Sequence, residues 1–304
     1  MVTGGAGFIG ANLAQRLSHE HSVTVLDDLS SGRLSNLATT PSATVIEGSI
    51  LDDTLLDHVM RECDAVVHLA ARPSVPRSIA EPVAAHEVNA TGTLKVLEAV
   101  RRNGGPHVIV ASSSSVYGAN STLPKTESLA TRPISPYAAS KLATESYTLA
   151  WGHSYGLPVL AFRFFNVFGP LQPAGHAYAA AIPTFIDAAL AGRPIPVHGT
   201  GRQSRDFTFV DTVAEVITQA LERHITSAEP VNLAFGSNIT LLDVIAHIEA
   251  ILGRSVAVEH LPTRAGDVMH SQADNTLLRS LIPGVEPEPV ESGLRRTVEW
   301  FRSL

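Results

Sequence analysis

Cysteine is nearly absent from this sequence of 304 residues: Cys63 stands alone, so no internal disulfide can brace the fold. Long apolar runs are missing too. No stretch of about 18 apolar residues occurs, which excludes a membrane-spanning helix, and no charged segment leads into a short apolar core as in an export signal. Basic charge is scarce: Lys+Arg 22 stand against Asp+Glu 29, a formal charge of -7, so counterion release cannot drive binding to nucleic acid. Neither nucleic acid nor a membrane is expected as a partner. Charged residues make up only 17% and hydrophobic ones 44%, with mean hydropathy +0.14, a balance that excludes disorder and provides for a large core. The 13 histidines are scattered, and pairs such as His19 and His21 lack acidic or cysteine partners in a ligand pattern, so no metal is expected. The expectation is a soluble cytoplasmic protein, built as two domains or as one large α/β unit with a smaller attachment.

What is present is a rhythm. Short apolar, β-branched runs at 23–26, 43–46, 65–68 and 108–111 alternate with helical spacing at 51–61 and 81–100, where Val88, Leu94, Val96, Leu97 and Val100 recur on one side. Alternation of this kind builds a doubly wound parallel sheet, Rossmann-type, with ligands at the carboxyl ends of the strands. Past Phe164 the rhythm loosens into Gly/Pro-punctuated stretches at 169–173 and 192–201, followed by helices near 213–223 and 241–252. The boundaries expected are a dinucleotide-binding domain over 1–165, with a contribution from about 207–225, and a smaller substrate domain over 166–304. Only Met1, Val2 and Thr3 precede the first glycine, so the first strand is very short or the chain starts further upstream.

Three elements carry chemistry. Thr3–Gly10 reads T-G-G-A-G-F-I-G, with Gly4, Gly7 and Gly10 at three-residue intervals opening a helix. Glycine permits the tight turn and the close approach of backbone N–H groups to a pyrophosphate at the helix N-terminus. Asp27 and Asp28 follow at the end of the next strand, where a carboxylate accepts hydrogen bonds from a ribose diol and repels a 2′-phosphate, favouring NAD over NADP. In the second element, Ser135 suits an N-cap and Pro136 the first helical position, so Tyr137 and Lys141 lie one turn apart on one helix face. Bringing a tyrosine pKa from about 10 to near 7 needs roughly 4 kcal/mol. One cation about 4 Å away supplies about that much at an effective dielectric near 20, before burial acts in the opposite sense. A cationic nicotinamide would tip this balance. In the third element, Ser112–Gly118 reads S-S-S-S-V-Y-G after the strand at 108–111, placing a hydroxyl where it can bond a reacting oxygen beside the tyrosine.

Together these elements resemble the extended short-chain dehydrogenase/reductase family, and within it the nucleotide-sugar epimerases of the UDP-hexose 4-epimerase kind. The resemblance extends to His68–Ala71 (H-L-A-A), Val88-Asn89, Arg163–Pro170 (R-F-F-N-V-F-G-P), Tyr178–Pro183 (Y-A-A-A-I-P), Ser204–Phe207 (S-R-D-F) and Arg264–Val268 (R-A-G-D-V). It implies Ser113, Tyr137 and Lys141 as the catalytic triad. NAD would then be held by Gly4, Gly7, Phe8, Ile9, Asp27, Asp28, Leu29, Ser31, Gly32, Ser49, Ile50, Leu69, Ala70, Ala71, Asn89, Tyr137, Lys141 and Phe164. The UDP-sugar would be held by Ser74, Ser113, Ser114, Asn166, Ala180, Ala181, His198, Arg205, Arg264 and Asp267, with the two arginines on the diphosphate.

Two departures bear on this. Many relatives have Gly-Asp-Ile or Gly-Asp-Val where this chain has Gly48-Ser49-Ile50, which leaves a hydroxyl for the adenine contact. Related 4,6-dehydratases and decarboxylases carry acidic residues just after the triad hydroxyl; here Ser114 and Ser115 stand there, so elimination chemistry lacks its acid. The activity implied is a UDP-sugar 4-epimerase acting through a transient 4-keto sugar. The rivals are a 4,6-dehydratase, decarboxylase or 4-ketoreductase on the same fold and a non-catalytic NAD-sensing module. Segment 71–78 and the Y-A-A-A-I-P run are similar to the branch that takes N-acetylhexosamines, with Ser271 as a small gate residue. Arg72 or Arg77 could instead meet the carboxylate of UDP-glucuronate or serve as structural arginines at a helix start, so the sugar stays open. Relatives commonly dimerise through two long helices, here 81–100 and 137–151, which implies a homodimer.

Overall fold

Six strands and six helices alternate through the first half of the computed structural model, which describes residues 1–175, 179–263 and 268–304. In chain order they are β1 (Val2–Thr3), α1 (Phe8–Leu17), β2 (Thr24–Asp27), β3 (Thr44–Glu47), α2 (Asp53–Met60), β4 (Ala65–His68), α3 (Val75–Ala80), α4 (Pro82–His86), α5 (Gly92–Arg102), β5 (His107–Ser113), α6 (Pro136–Tyr155) and β6 (Val159–Phe164). The strands pair in parallel in the order β6, β5, β4, β1, β2, β3, and Val231–Leu233 adds a seventh strand beside β6. This is the doubly wound sheet that the alternating apolar runs predict, with its switch of winding direction between β1 and β4.

Local chemistry explains the boundaries. β1 is indeed only two residues long, yet both are buried and each pairs with strands on both sides. The Ser135 side chain accepts from the Ala138 N–H at 3.1 Å and Pro136 starts α6, as the sequence predicts; Gly156 ends it in the left-handed region at φ 68°. The single helix expected over 81–100 is not one helix. Pro82 starts a new helix after Ala80, and Glu87–Thr91 forms a π-helical stretch between α4 and α5. That widened turn frees the Asn89 carbonyl to accept from the Thr93 and Thr144 hydroxyls, at 2.6 and 2.7 Å.

Apolar side chains cover both sheet faces. Leu13, Leu17, Val213 and Ile217 pack with Ile109 and Phe162, whereas Leu56, Val96 and Val100 pack with Val66 and Val108. A separate core in the second half joins helix α7 (Ala181–Leu190) to Leu241–Leu252 and Val290–Arg302 around Phe168, Phe185 and Phe209. The helix expected at 213–223 runs from Val210 to Glu222 and packs on α1, and the one expected at 241–252 has those bounds.

Candidate active site

Many of the predicted residues lie at the carboxyl ends of the parallel strands. Gly4 follows β1, Asp27 ends β2, Ser49 and Ile50 follow β3, Leu69–Ala71 follow β4, Ser113 ends β5 and Phe164 ends β6. Two glycines around the turn from β1 to α1 leave no room for a side chain: a Cβ on Gly10 would lie 2.3 Å from the Gly4 carbonyl oxygen, and one on Gly4, at φ 70°, 2.6 Å from the Ala70 nitrogen. Gly32 is pressed against Ala6 in the same way, and Gly7 begins α1 with no side-chain cap, leaving first-turn amides for an anion. Asp27 is buried beside this turn and accepts from the Ala6 and Leu29 amides, both at 2.9 Å; each carboxylate oxygen retains capacity for a ribose hydroxyl. Asp28 turns outward onto Ser30, and the Ser49 hydroxyl accepts from Leu51 N–H, so of the acidic pair it is Asp27 that faces the glycine turn. A bare, uncapped glycine cradle with a buried carboxylate at its rim fits NAD.

The Ser113 hydroxyl oxygen accepts from the Ser115 amide at 3.2 Å, which leaves its proton for a neighbouring oxygen, and Ser113 acts to lower the Tyr137 pKa. Lys141 is buried one turn along α6 and donates to the Ala111 carbonyl at 2.8 Å. The sequence reading sets Lys141 alone against burial, with a cationic nicotinamide needed to tip the balance. Burial dominates and pushes the Tyr137 hydroxyl above its ordinary value, with Ser113 opposing, and burial also lowers Lys141 to about 8. A further positive charge is needed to draw out the phenolate.

Asn89 is wholly engaged with protein, donating to the Arg72 carbonyl and Ser140 Oγ and accepting from the Arg72 amide. It belongs to a buried polar chain whose direction can be worked out. Thr93 gives its proton to the Asn89 carbonyl, so it accepts from His68 Nε2 at 3.1 Å; Nδ1 then accepts from Thr3 Oγ1 at 2.7 Å. His68 is thereby fixed as a neutral ring linking β1 to the helices below the site. Burial, assisted by Lys141, lowers its pKa to about 3. Below pH ~6.5 the unfolded chain binds a proton that the folded chain refuses until about pH 3, so stability falls with pH across that window by up to about 1.4 kcal/mol per unit. Urea unfolding at pH 7, 6 and 5 tests this: the stability gap between wild type and His68→Gln shrinks as pH falls, whereas a constant gap contradicts the assignment.

Two cavities lie side by side. One, of 330 Å³, is lined by Ala180, Ala181, His198, Phe185 and Phe207; the other, of 560 Å³, by Ser113, Ser114, Ser115, Lys125, Phe164 and Ser271. Val75, Asn166 and Arg205 line both. Among the described residues no Asp or Glu lines either cavity, an electrostatic setting suited to an anionic ligand that spans the two. The Arg205 guanidinium donates to the Ser204 and Met269 carbonyls. Ser74, at φ 93°, caps α3 rather than lining a cavity. Arg72 is paired with Glu81, and neither it nor Arg77 reaches the cavities, which argues against either as a carboxylate receptor. Tyr178, Arg264 and Asp267 lie outside the described residues.

Several supports escaped the sequence reading. Arg163 pairs with Glu145 at 2.6 Å, both almost fully buried, and donates to the Tyr117 hydroxyl at 2.8 Å behind the serine run. Asp206 is fully buried, and its carboxylate accepts from Gly236 N, Ser237 N, Ser237 Oγ and Ala273 N, which staples the strand bearing Arg205 to two neighbouring loops. Glu222 arrives beside His21 across space, correcting the expectation that this histidine lacks an acidic neighbour. Each of these contacts spans a sequence separation that no local pattern reports.

Comparison with known proteins places this geometry. The family model described as "NAD dependent epimerase/dehydratase family" matches residues 1–234. The chain is 36% identical to the UDP-glucose 4-epimerase of Mycolicibacterium smegmatis, over 100% of this chain and 98% of that one. It is 32% identical to a UDP-N-acetyl-alpha-D-glucosaminuronate decarboxylase of Bacillus cytotoxicus, over 100% and 98%. Among solved structures, it is similar to the UDP-N-acetylglucosamine 4-epimerase from Methanobrevibacter ruminantium in complex with UDP-N-acetylmuramic acid: TM-score 0.95 and 39% identity over 99% of this chain and 97% of that one.

Proposed function

The chain belongs to the NAD-dependent epimerase/dehydratase family, and on that premise we propose that it inverts C4 of a UDP-hexose through a transient 4-keto sugar. The observation that carries the choice of reaction is the cavity wall beside Ser113, where no described carboxylate stands. A dehydratase must also move a proton at C5, and a decarboxylase must orient a second acid. Where such enzymes carry acidic residues, Ser114 and Ser115 stand here, and no described carboxylate lines the cavity. 4-Epimerases among the relatives agree with this reading, but a decarboxylase relative shows that the family alone does not fix the reaction.

The glycine turn, Asp27 and the loop at 69–71 would hold NAD, which when bound supplies a reversible hydride acceptor and positive charge beside Tyr137. Tyr137, as phenolate, takes the proton of the sugar 4-hydroxyl. Ser113 donates to that oxygen while its own oxygen is held by the Ser115 amide. Lys141, anchored by the Ala111 carbonyl, stabilises the negative tyrosine. The ketone turns its other face within the 560 Å³ cavity, and Tyr137 returns the proton. Arg205 and Asn166, at the junction of the two cavities, take the diphosphate. Ala180, Ala181 and His198 line the space for the uridine. A panel of UDP-glucose, UDP-galactose, their N-acetyl analogues and both uronates, with products resolved by chromatography, tests this. The expected product has unchanged mass and inverted C4; loss of water or carbon dioxide overturns it.

A further inference from the structure

The 560 Å³ cavity contains a second cation that the reaction itself does not use. Lys125 is held by its backbone: its N–H donates to the Gln272 carbonyl, and its own carbonyl accepts from Asp274 N and Asn232 Nδ2, each at 2.8–2.9 Å. The side chain is thus left to run past the Tyr117 ring, with the ammonium 6.0 Å from the ring centroid and donating to the Asn120 carbonyl. The residue is only 6% exposed, and among the described residues no carboxylate pairs with it. Ser115 in the same wall has a buried hydroxyl with no partner.

An ammonium has three protons to donate, and one neutral carbonyl leaves two of them, and the charge, to face the cavity, where an anion can meet them. With the diphosphate assigned to Arg205, where the two cavities join, the Lys125 ammonium in the second cavity is left for a group on the sugar. We propose that Lys125 is a specificity-determining residue that forms, with the Ser115 hydroxyl, a subsite for a carboxylate carried on the hexose ring of the UDP-sugar. This rests on the UDP-sugar reading above and narrows it to acidic sugars. Burial already holds the Lys125 ammonium below the usual lysine range, and an incoming carboxylate would reverse that.

The test is ligand affinity of the NAD-loaded wild type and of Lys125→Met, by calorimetry. UDP alone serves as the reference, since it needs only the first cavity. Expected is at least tenfold tighter binding of a UDP-sugar bearing a carboxylate than of UDP-glucose by the wild type, and a tenfold or greater collapse of that ratio in Lys125→Met with UDP affinity retained. UDP-glucuronate and UDP-galacturonate present the carboxylate at C5, and UDP-N-acetylmuramate presents it through an ether at C3, so the better ligand identifies its position. A wild type with no preference for any acidic sugar, or a ratio unchanged within twofold in Lys125→Met, overturns the subsite while leaving the epimerase reading intact. Failure of UDP to bind the wild type overturns both.

Discussion

Tyr137→Phe lowers kcat by about 10³-fold while leaving NAD content and UDP-sugar affinity close to wild type. The expectation follows from what the substitution removes. The phenyl ring still fills the space on α6 beside Ser113, but the proton acceptor is gone, and Ser113 cannot replace it because an isolated hydroxyl is far too weak a base. Burial raises the pKa of the Tyr137 hydroxyl, so the unloaded enzyme keeps it protonated. The phenolate therefore belongs to the loaded site, where a second positive charge joins Lys141. Steady-state turnover, with bound NAD measured by absorbance, separates the two effects. Activity within tenfold of wild type would remove Tyr137 from the chemistry.

Arg163→Met costs about 3–5 kcal/mol of stability, a fall in Tm on the order of 10 °C. Arg163 meets both oxygens of Glu145, at 2.6 and 2.9 Å, and stacks on Tyr117 with 4.7 Å to the ring centroid. Both charged side chains are shielded from water, at 3% and 4% exposed. Without the guanidinium, the Glu145 carboxylate keeps Ser112 Oγ as its side-chain donor, and the charge is left buried without its partner. Removing both charges in Arg163→Met/Glu145→Leu recovers much of the loss, because the double variant leaves no orphaned charge. Thermal unfolding of the three proteins tests this, and a single variant within 1 kcal/mol of wild type would show the pair to be energetically idle.

The sequence made the doubly wound sheet legible because its strands, apart from the exposed edge strand β3, are short buried runs whose apolar character does not depend on their neighbours. It also placed Tyr137 and Lys141 one turn apart on α6, since the Ser135 cap and Pro136 fix where that helix begins. The break over 81–100 was harder to see. Its apolar spacing continues through the π stretch, and the reason for the break, a carbonyl accepting from Thr93 and Thr144, lies partly on another helix. Lys125, His68 and Asp206 were illegible as site supports for the same reason. Each looks like an ordinary polar residue until the fold buries it, His68 and Asp206 among partners 25 to more than 60 positions away and Lys125 against backbone more than 100 positions away. The direction of the tyrosine pKa also depended on burial, which charge spacing along a helix does not report.

The central claim is that one hydroxyl, Tyr137, handles the only proton that moves, at the oxygen on C4. The UDP-hexose that the panel identifies, deuterated at C4, turned over in ordinary water and followed by NMR and mass spectrometry, tests it most directly. The account predicts a C4-inverted product of unchanged mass that keeps the deuterium at C4, and no solvent hydrogen entering C5 when the water is deuterated instead. Deuterium lost from C4, or solvent label appearing at C5, would contradict it.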